Sequence, residues 1–465
     1  MKNFIKSLEL RWSDLFLLLG MIPFAVLLTF GQLFMQYPNP DDVALPLWAA
    51  IICIVSLVGL WGYYLYLEVY RSKEKFNLII PTVLLSLVLL NVVAIAIQPA
   101  QLLENVIVRA SETNPESVGT VVPLVLTTTV THKVVFISEL IAAALMIYIG
   151  LFVFPKRFKS LTFLRYLGYG VFAFLVVLIV YGYIFEFDKY VGFFKYILGI
   201  DRTAESIYPY TVKSFILHRN AYGMMMMLGI IFAFINHSIE KKWWYYLIAA
   251  FCYINMIFSL CKTGLLISAL GIIIYIYYRL IVTYKENNKR NKIGLISISS
   301  ILALGIALVG ISYVTKGKIL GFIYGLVSGS GGTLDTRSYI WDNSYQLLQD
   351  GWWVIGRGFG IYNLFVMPMN TATHEDPVFP AHSAYLGLLA EGGILFLLAY
   401  LCLLGYMSYI VYKCLKKNPS LTLAMSLGAF SFILYSFIET IHYFVYVFFF
   451  PIMVLYHTLY EKEEA

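Results

Sequence analysis

YLGYGVFAFLVVLIVYGYIF, residues 166–185, runs for 20 residues without one charged side chain. A helix of that length rises about 30 Å and so covers the hydrocarbon of a bilayer. Similar runs recur at roughly 15–35, 46–66, 77–97, 134–154, 221–237, 243–260, 264–282, 293–314, 386–412, 421–438 and 443–460. Composition agrees: of 465 residues, 60% are hydrophobic and 13% charged. A soluble domain carries about 25% charged residues. Mean hydropathy is +0.78. The fold class expected is an all-α polytopic membrane protein, one transmembrane domain over residues 1–465 with about 12 transmembrane helices.

The flanks of 166–185 set its direction. PKRFK (155–159) precedes it, and the longer connection 186–220 follows it. Short basic segments recur in alternate connections: RSKEK (71–75), IEKKWW (239–244), YKENNKRNK (284–292) and KCLKK (413–417). By the positive-inside rule these are cytoplasmic, which brings both termini to that side. The basic N-terminus MKNFIKSLELRWSD leads into the first run with no small-residue cleavage site, so that run is expected to stay as a span. The remaining connections, 36–45, 98–133, 186–220 and 315–385, are then external. The last, between spans nine and ten, is the longest and is expected to carry short helices. TLDTRSYIWDNSYQLLQDG within it reads as an amphipathic helix, capped at its start by Thr333 or Asp335 and ended by Gly351. The net charge of +7 belongs to this topology and is no sign of nucleic-acid binding. Cys53, Cys252, Cys261, Cys402 and Cys414 lie in or at the ends of apolar runs without a CxxC pair, so neither a disulfide nor a zinc site is expected.

Chemistry is therefore sought on the external face. His382 follows Pro380 and precedes an apolar run, at the N-terminus of a helix facing water. The helix dipole there disfavours an imidazolium, and a neutral ring can accept a proton from a hydroxyl. An interfacial histidine that only caps the helix is the plainer reading. Arg337 and Trp341, four apart, share a face of the amphipathic helix. An arginine fork suits a lipid diphosphate, and an indole suits headgroup depth; an arginine reaching for headgroups would look the same. Arg219, beside His218 at the start of one run, and Lys262, in a short turn before another, are cations pinned at the external boundary. Glu391, nine residues after His382, points to the opposite face and fits pairing with a neighbouring helix. Asp41 and Asp42 in PNPDDV fit either a turn or a divalent cation. His374, Glu375 and Asp376 read as a solvated loop rather than a metal site. Met224–Met227 reads as lipid-facing or packing surface. Gly356, Gly358 and Gly360 in GRGFG do not have dinucleotide-binding spacing; they read as a tight turn whose backbone N–H groups can approach an anion.

RSYIWDNSYQLLQDGWWVIGRGFGIYN (337–363) followed by PAHSAYLGLLAEGG (380–393) resembles the signature of the O-antigen ligase and Wzy-type polysaccharide polymerase superfamily. FSLCKTGLLISAL (258–270) and FILHRNAYGM (215–224) are similar to two further elements of it, with Lys262 at the usual arginine and Ser383 at the usual asparagine. The resemblance covers roughly residues 210–415. It implies a GT-C-like architecture in the inner membrane of a bacterium. It implies an enzyme that transfers an undecaprenyl-diphosphate-linked glycan to a hydroxyl of an acceptor glycan or glycolipid, inverting and without a metal or other cofactor. His382 would be the catalytic base. Arg337, Arg219 and Lys262 would bind the diphosphate, with Trp341, His218 and Glu391 in support. A surface-polysaccharide polymerase is the first reading and a ligase to lipid A core the second. Partners expected are membrane lipids, a chain-length regulator and a flippase, and no nucleic acid. A polytopic transporter or lipid-linked glycan flippase is the alternative class, but no repeat relates the two halves and ionisable residues within spans are few.

Overall fold

The computed structural model describes residues 79–98, 101–107, 121–127, 130–148, 161–200, 208–214, 219–284, 351–359, 383–414 and 419–437, with isolated positions at 59, 62, 66, 345 and 348–349. Their elements are α1 (Ile79–Ile97), β1 (Gln101–Ile107), β2 (Val121–Thr127), α2 (Val130–Tyr148), α3 (Leu161–Phe185) and α4 (Phe187–Ile197). After a 3-10 turn at Tyr208–Tyr210 come α5 (Arg219–Glu240), α6 (Trp244–Ser259), α7 (Lys262–Tyr284), α8 (Trp352–Ile355), α9 (Ala384–Cys414) and α10 (Pro419–Tyr435). Eight expected spans coincide with α1, α2, α3, α5, α6, α7, α9 and α10. Those at 15–35, 46–66, 293–314 and 443–460 lie outside the described elements. Among the described residues, four helices are long and apolar enough to cross a membrane: Leu164–Phe185, Arg219–Glu240, Lys262–Leu280 and Ala384–Cys414. Pro81 lies in the first turn of α1 and Pro419 is the first residue of α10, both places where a helix tolerates proline.

Two connections expected as loops are ordered. β1 and β2 form an antiparallel hairpin, Gln101 opposite Thr127 and Ile107 opposite Val121. The sequences QLLENVI and VVPLVLT are too short to span and rich in strand-forming residues. The segment after α3 becomes α4, an amphipathic helix. Its exposed Phe187, Phe194 and Leu198 share a stripe, and Tyr190 and Phe193 are buried on another face.

The chain divides into two compact units. The first comprises Met1–Phe163, Thr333–Lys413 and Phe432–Ala465. The second comprises Leu164–Gly332 and Cys414–Ser431.

In the second unit α5 is the enclosed helix, with every residue from Tyr222 to Ser238 buried. Met224–Met227 are thus packed inside rather than facing lipid. In lipid such an interior is held by close packing and polar contacts, because the tails are as apolar as the side chains. A Cβ on Gly223 would stand 2.3 Å from the Cβ of Cys261, so only glycine lets α5 approach the start of α7 so closely. At the far end of α5, Ser238 Oγ donates to the Ser420 carbonyl at 3.1 Å, and Arg279 donates to Ser420 Oγ at 2.6 Å. His237 Nδ1 lies 3.1 Å from the Tyr275 hydroxyl. Glu240 accepts the Tyr169 hydroxyl at 2.6 Å and pairs with Lys242 at 2.8 Å. That contact holds the exposed Lys242 ammonium above its ordinary pKa.

Candidate functional site

The second unit brings two of the expected cations to one end of its helices. α6 stops at Ser259, and Leu260 turns the chain in the left-handed region (φ 49). The Cys261 N–H then bonds Ser259 Oγ at 3.2 Å. Lys262 follows, not in a turn as expected but as the first residue of α7. Cys261 Sγ lies 3.9 Å from the carbonyl oxygen of Asn220, the residue after Arg219, which begins α5. The starts of α5 and α7 therefore adjoin, each carrying a half-buried basic residue. Helix N-termini present the positive ends of their dipoles. Two cations added there are held against roughly 0.3–1 kcal/mol each, an arrangement that an anion relieves.

The chain reaching Arg219 is anchored nearby. Glu186, between α3 and α4, pairs with Lys189 and accepts the N–H groups of Lys213 (3.0 Å) and Ser214 (2.7 Å). Ser214 Oγ donates to the Leu178 carbonyl at 2.7 Å, and the Val212 N–H to the Phe258 carbonyl at 3.0 Å.

In the first unit α9 is broken. Gly393 (φ 67, ψ −167) interrupts it and leaves a half-helix, Ala384–Gly392, ahead of the break. In an unbroken helix the Ala390 and Glu391 carbonyls would accept N–H groups four residues on. Here they accept the N–H groups of Arg357 (2.6 Å) and Gly358 (2.9 Å) from the turn after α8. Unwound backbone at membrane depth persists only where the protein itself satisfies it, as this pairing does. The approach is so close that a Cβ on Gly393 would lie 2.2 Å from the Val354 carbonyl oxygen. Asn91 of α1, 1% exposed, donates to the Glu391 carbonyl (2.7 Å) and accepts the Phe359 N–H (2.8 Å). Gln98 donates to the Arg357 carbonyl at 2.5 Å, and Lys133 donates to the Gln98 carbonyl at 2.6 Å. The buried Arg357 guanidinium lies 4.7 Å above the Trp352 ring. The Ala384 N–H at the start of the half-helix bonds the Ser436 carbonyl at 2.7 Å.

This geometry corrects the expectation for GRGFG. The turn is tight, with Gly356 (φ 73) and Gly358 (φ 103) in the left-handed region. Yet the N–H groups of residues 356–359 bond Trp352, Ala390, Glu391 and Asn91, so none is turned toward an anion.

Of the residues singled out in the sequence, Arg219 and Lys262 are brought together at the adjoining helix starts. Glu391 is buried in the first unit, and its backbone carbonyl accepts the Asn91 amide of α1. His382, Arg337, Trp341, His218, Asp41 and Asp42 lie outside the described residues. Among the described residues no three His, Cys, Asp or Glu side chains gather as metal ligands would. Sequence reasoning missed Asn91, Gln98, Arg357 and Glu186. Asn91 had a signal: within Ile79–Ile97 it is the one side-chain amide.

A comparison with curated proteins finds no match. A family model described as O-antigen ligase matches residues 246–401, from the start of α6 to the middle of α9. That range holds Lys262, Arg337, Arg357, His382 and the helix break, and stops short of Arg219. Residues 246–401 of this membrane protein therefore carry an O-antigen ligase family domain.

Proposed function

We propose that this protein is a glycosyltransferase of the bacterial inner membrane, acting at its outer face. It transfers a glycan from an undecaprenyl-diphosphate carrier to a hydroxyl of an acceptor glycan. The observation that carries this reading is the pair Arg219 and Lys262 at two adjoining helix N-termini, a place built for an anion. His382 takes the proton of the acceptor hydroxyl. The oxygen attacks the anomeric carbon from the face opposite the carrier, and the bond from that carbon to the diphosphate oxygen breaks. Negative charge grows on the diphosphate as it leaves, and Arg337, Arg219 and Lys262 stabilise it in a partly dry site. One displacement inverts the anomeric configuration, and the leaving group needs no metal to depart.

The test is glycan transfer by purified protein in nanodiscs. His382→Ala and Arg337→Ala are expected to lower turnover by about 10²–10³-fold. Transfer at the unaltered rate in both variants would overturn the mechanism. Carrier-linked repeat units alone should give longer carrier-linked chains, as a polymerase does. The description of the matched family favours a second reading, a ligase passing finished polymer to a final acceptor. In that case product forms only when the acceptor is added. A chain-length regulator and a flippase are the partners proposed alongside it.

A further inference from the structure

One side chain ties both segments at the break in α9 to α1. Asn91 is buried in an otherwise apolar stretch of α1, and both ends of its amide are used. Its N–H binds the Glu391 carbonyl at 2.7 Å, and its oxygen takes the Phe359 N–H at 2.8 Å. These partners lie 300 and 268 residues away along the chain, on the two segments that have left regular structure. Few side chains can do this. Leucine has neither group, and an ionised aspartate has no donor. Glutamine sets its amide one methylene further out. The half-helix Ala384–Gly392 is thus held at its lower end by the turn after α8 and by Asn91, and at its upper end by the Ala384–Ser436 bond.

We propose that Asn91 is a positioning residue. By tying both unwound segments to α1 it sets the half-helix, whose first residue, Ala384, follows His382 and Ser383 in the sequence. The proposal rests on the reading of His382 as the base that meets the acceptor. With Asn91 lost, the lower end keeps its two backbone bonds to the turn after α8 but loses its tie to α1, and the joint can shift with the upper bond as a pivot.

The experiment uses full-length protein in nanodiscs with Asn91→Leu, and with Asn91→Ala in case the larger side chain impairs folding. Turnover per folded molecule should fall about tenfold or more, since a misplacement of about 1 Å near a reacting group has effects of that order. The donor KM should stay within about twofold, because the Asn91 amide bonds backbone groups of Glu391 and Phe359 rather than a donor-binding cation. A second readout needs no activity. Ser383 is 5% exposed; Ser383→Cys, in a Cys53→Ser and Cys402→Ser background, should react with a methanethiosulfonate about fivefold faster once Asn91 is replaced. Unchanged turnover and unchanged reactivity in monodisperse protein would overturn the proposal. So would lower yield with full turnover per folded molecule, which marks Asn91 as helix glue only. If reactivity rises while the unaltered protein transfers no glycan, the positioning role stands and the glycosyltransferase reading falls.

Discussion

Glu186 shows how one side chain orders a segment that reads as loop. Its carboxylate meets two backbone N–H groups, and Ser214, one of the residues it holds, is only 1% exposed. Glu186→Ala should cost about 1–3 kcal/mol by leaving buried donors unmet, whereas Glu186→Gln keeps an acceptor and should cost less than about 1 kcal/mol. Thermal unfolding in detergent distinguishes them, and equal losses would mean that the ion pair with Lys189 matters more than the backbone contacts. Lys262 belongs to the same scale. Lys262→Ala should raise the donor KM about tenfold, near 1.4 kcal/mol of lost binding, and Lys262→Arg should hold it within about threefold by keeping the charge. Steady-state kinetics at varied donor concentration check both.

At the scale of elements, the joint between the turn after α8 and the broken α9 is the most constrained feature. Gly393 combines a left-handed φ with a backbone oxygen 2.2 Å from where a Cβ would stand. Gly393→Ala meets both penalties and should cost at least about 3 kcal/mol. The measurement is the fraction of membrane-extracted protein that is monodisperse, expected to fall well below half of the unaltered level. Gly405, lower in the same helix, has nothing within 4 Å of its Cβ position. Gly405→Ala should leave the yield unchanged or raise it, since alanine suits a helix interior better. A similar fall in both variants would locate the fragility in α9 as a whole rather than in the break.

At the scale of the whole molecule, the charge alternation predicts orientation. Lys195 on α4 and Lys242 after α5 are both exposed. In intact cells, Lys195→Cys should be labelled by a membrane-impermeant thiol reagent from outside, and Lys242→Cys only after the membrane is opened. The reverse pattern would turn the candidate site toward the cytoplasm and remove the outer-face reaction. The spanning helices were legible because their signal is local: an apolar run near 20 residues leaves the backbone no option in lipid but to bond within itself. Lys262 and Arg219 were legible as cations at helix ends, since charge at a run's boundary is visible without knowing the neighbours. The break at Gly393 was not, because AEGG lies inside an unbroken apolar stretch and nothing along the chain says that residues 357 and 358 will take its carbonyls.

The sequence by itself determined the medium, the helical backbone and the chemical types at the boundaries, for all of these follow from hydropathy, length and charge read over a few turns. Only the tertiary structure decided that α5 is the enclosed helix, that the starts of α5 and α7 adjoin, and that Asn91 joins two unwound segments. Those outcomes depend on pairs of groups up to 300 residues apart. Which donor meets which acceptor is settled by packing, which no local pattern encodes.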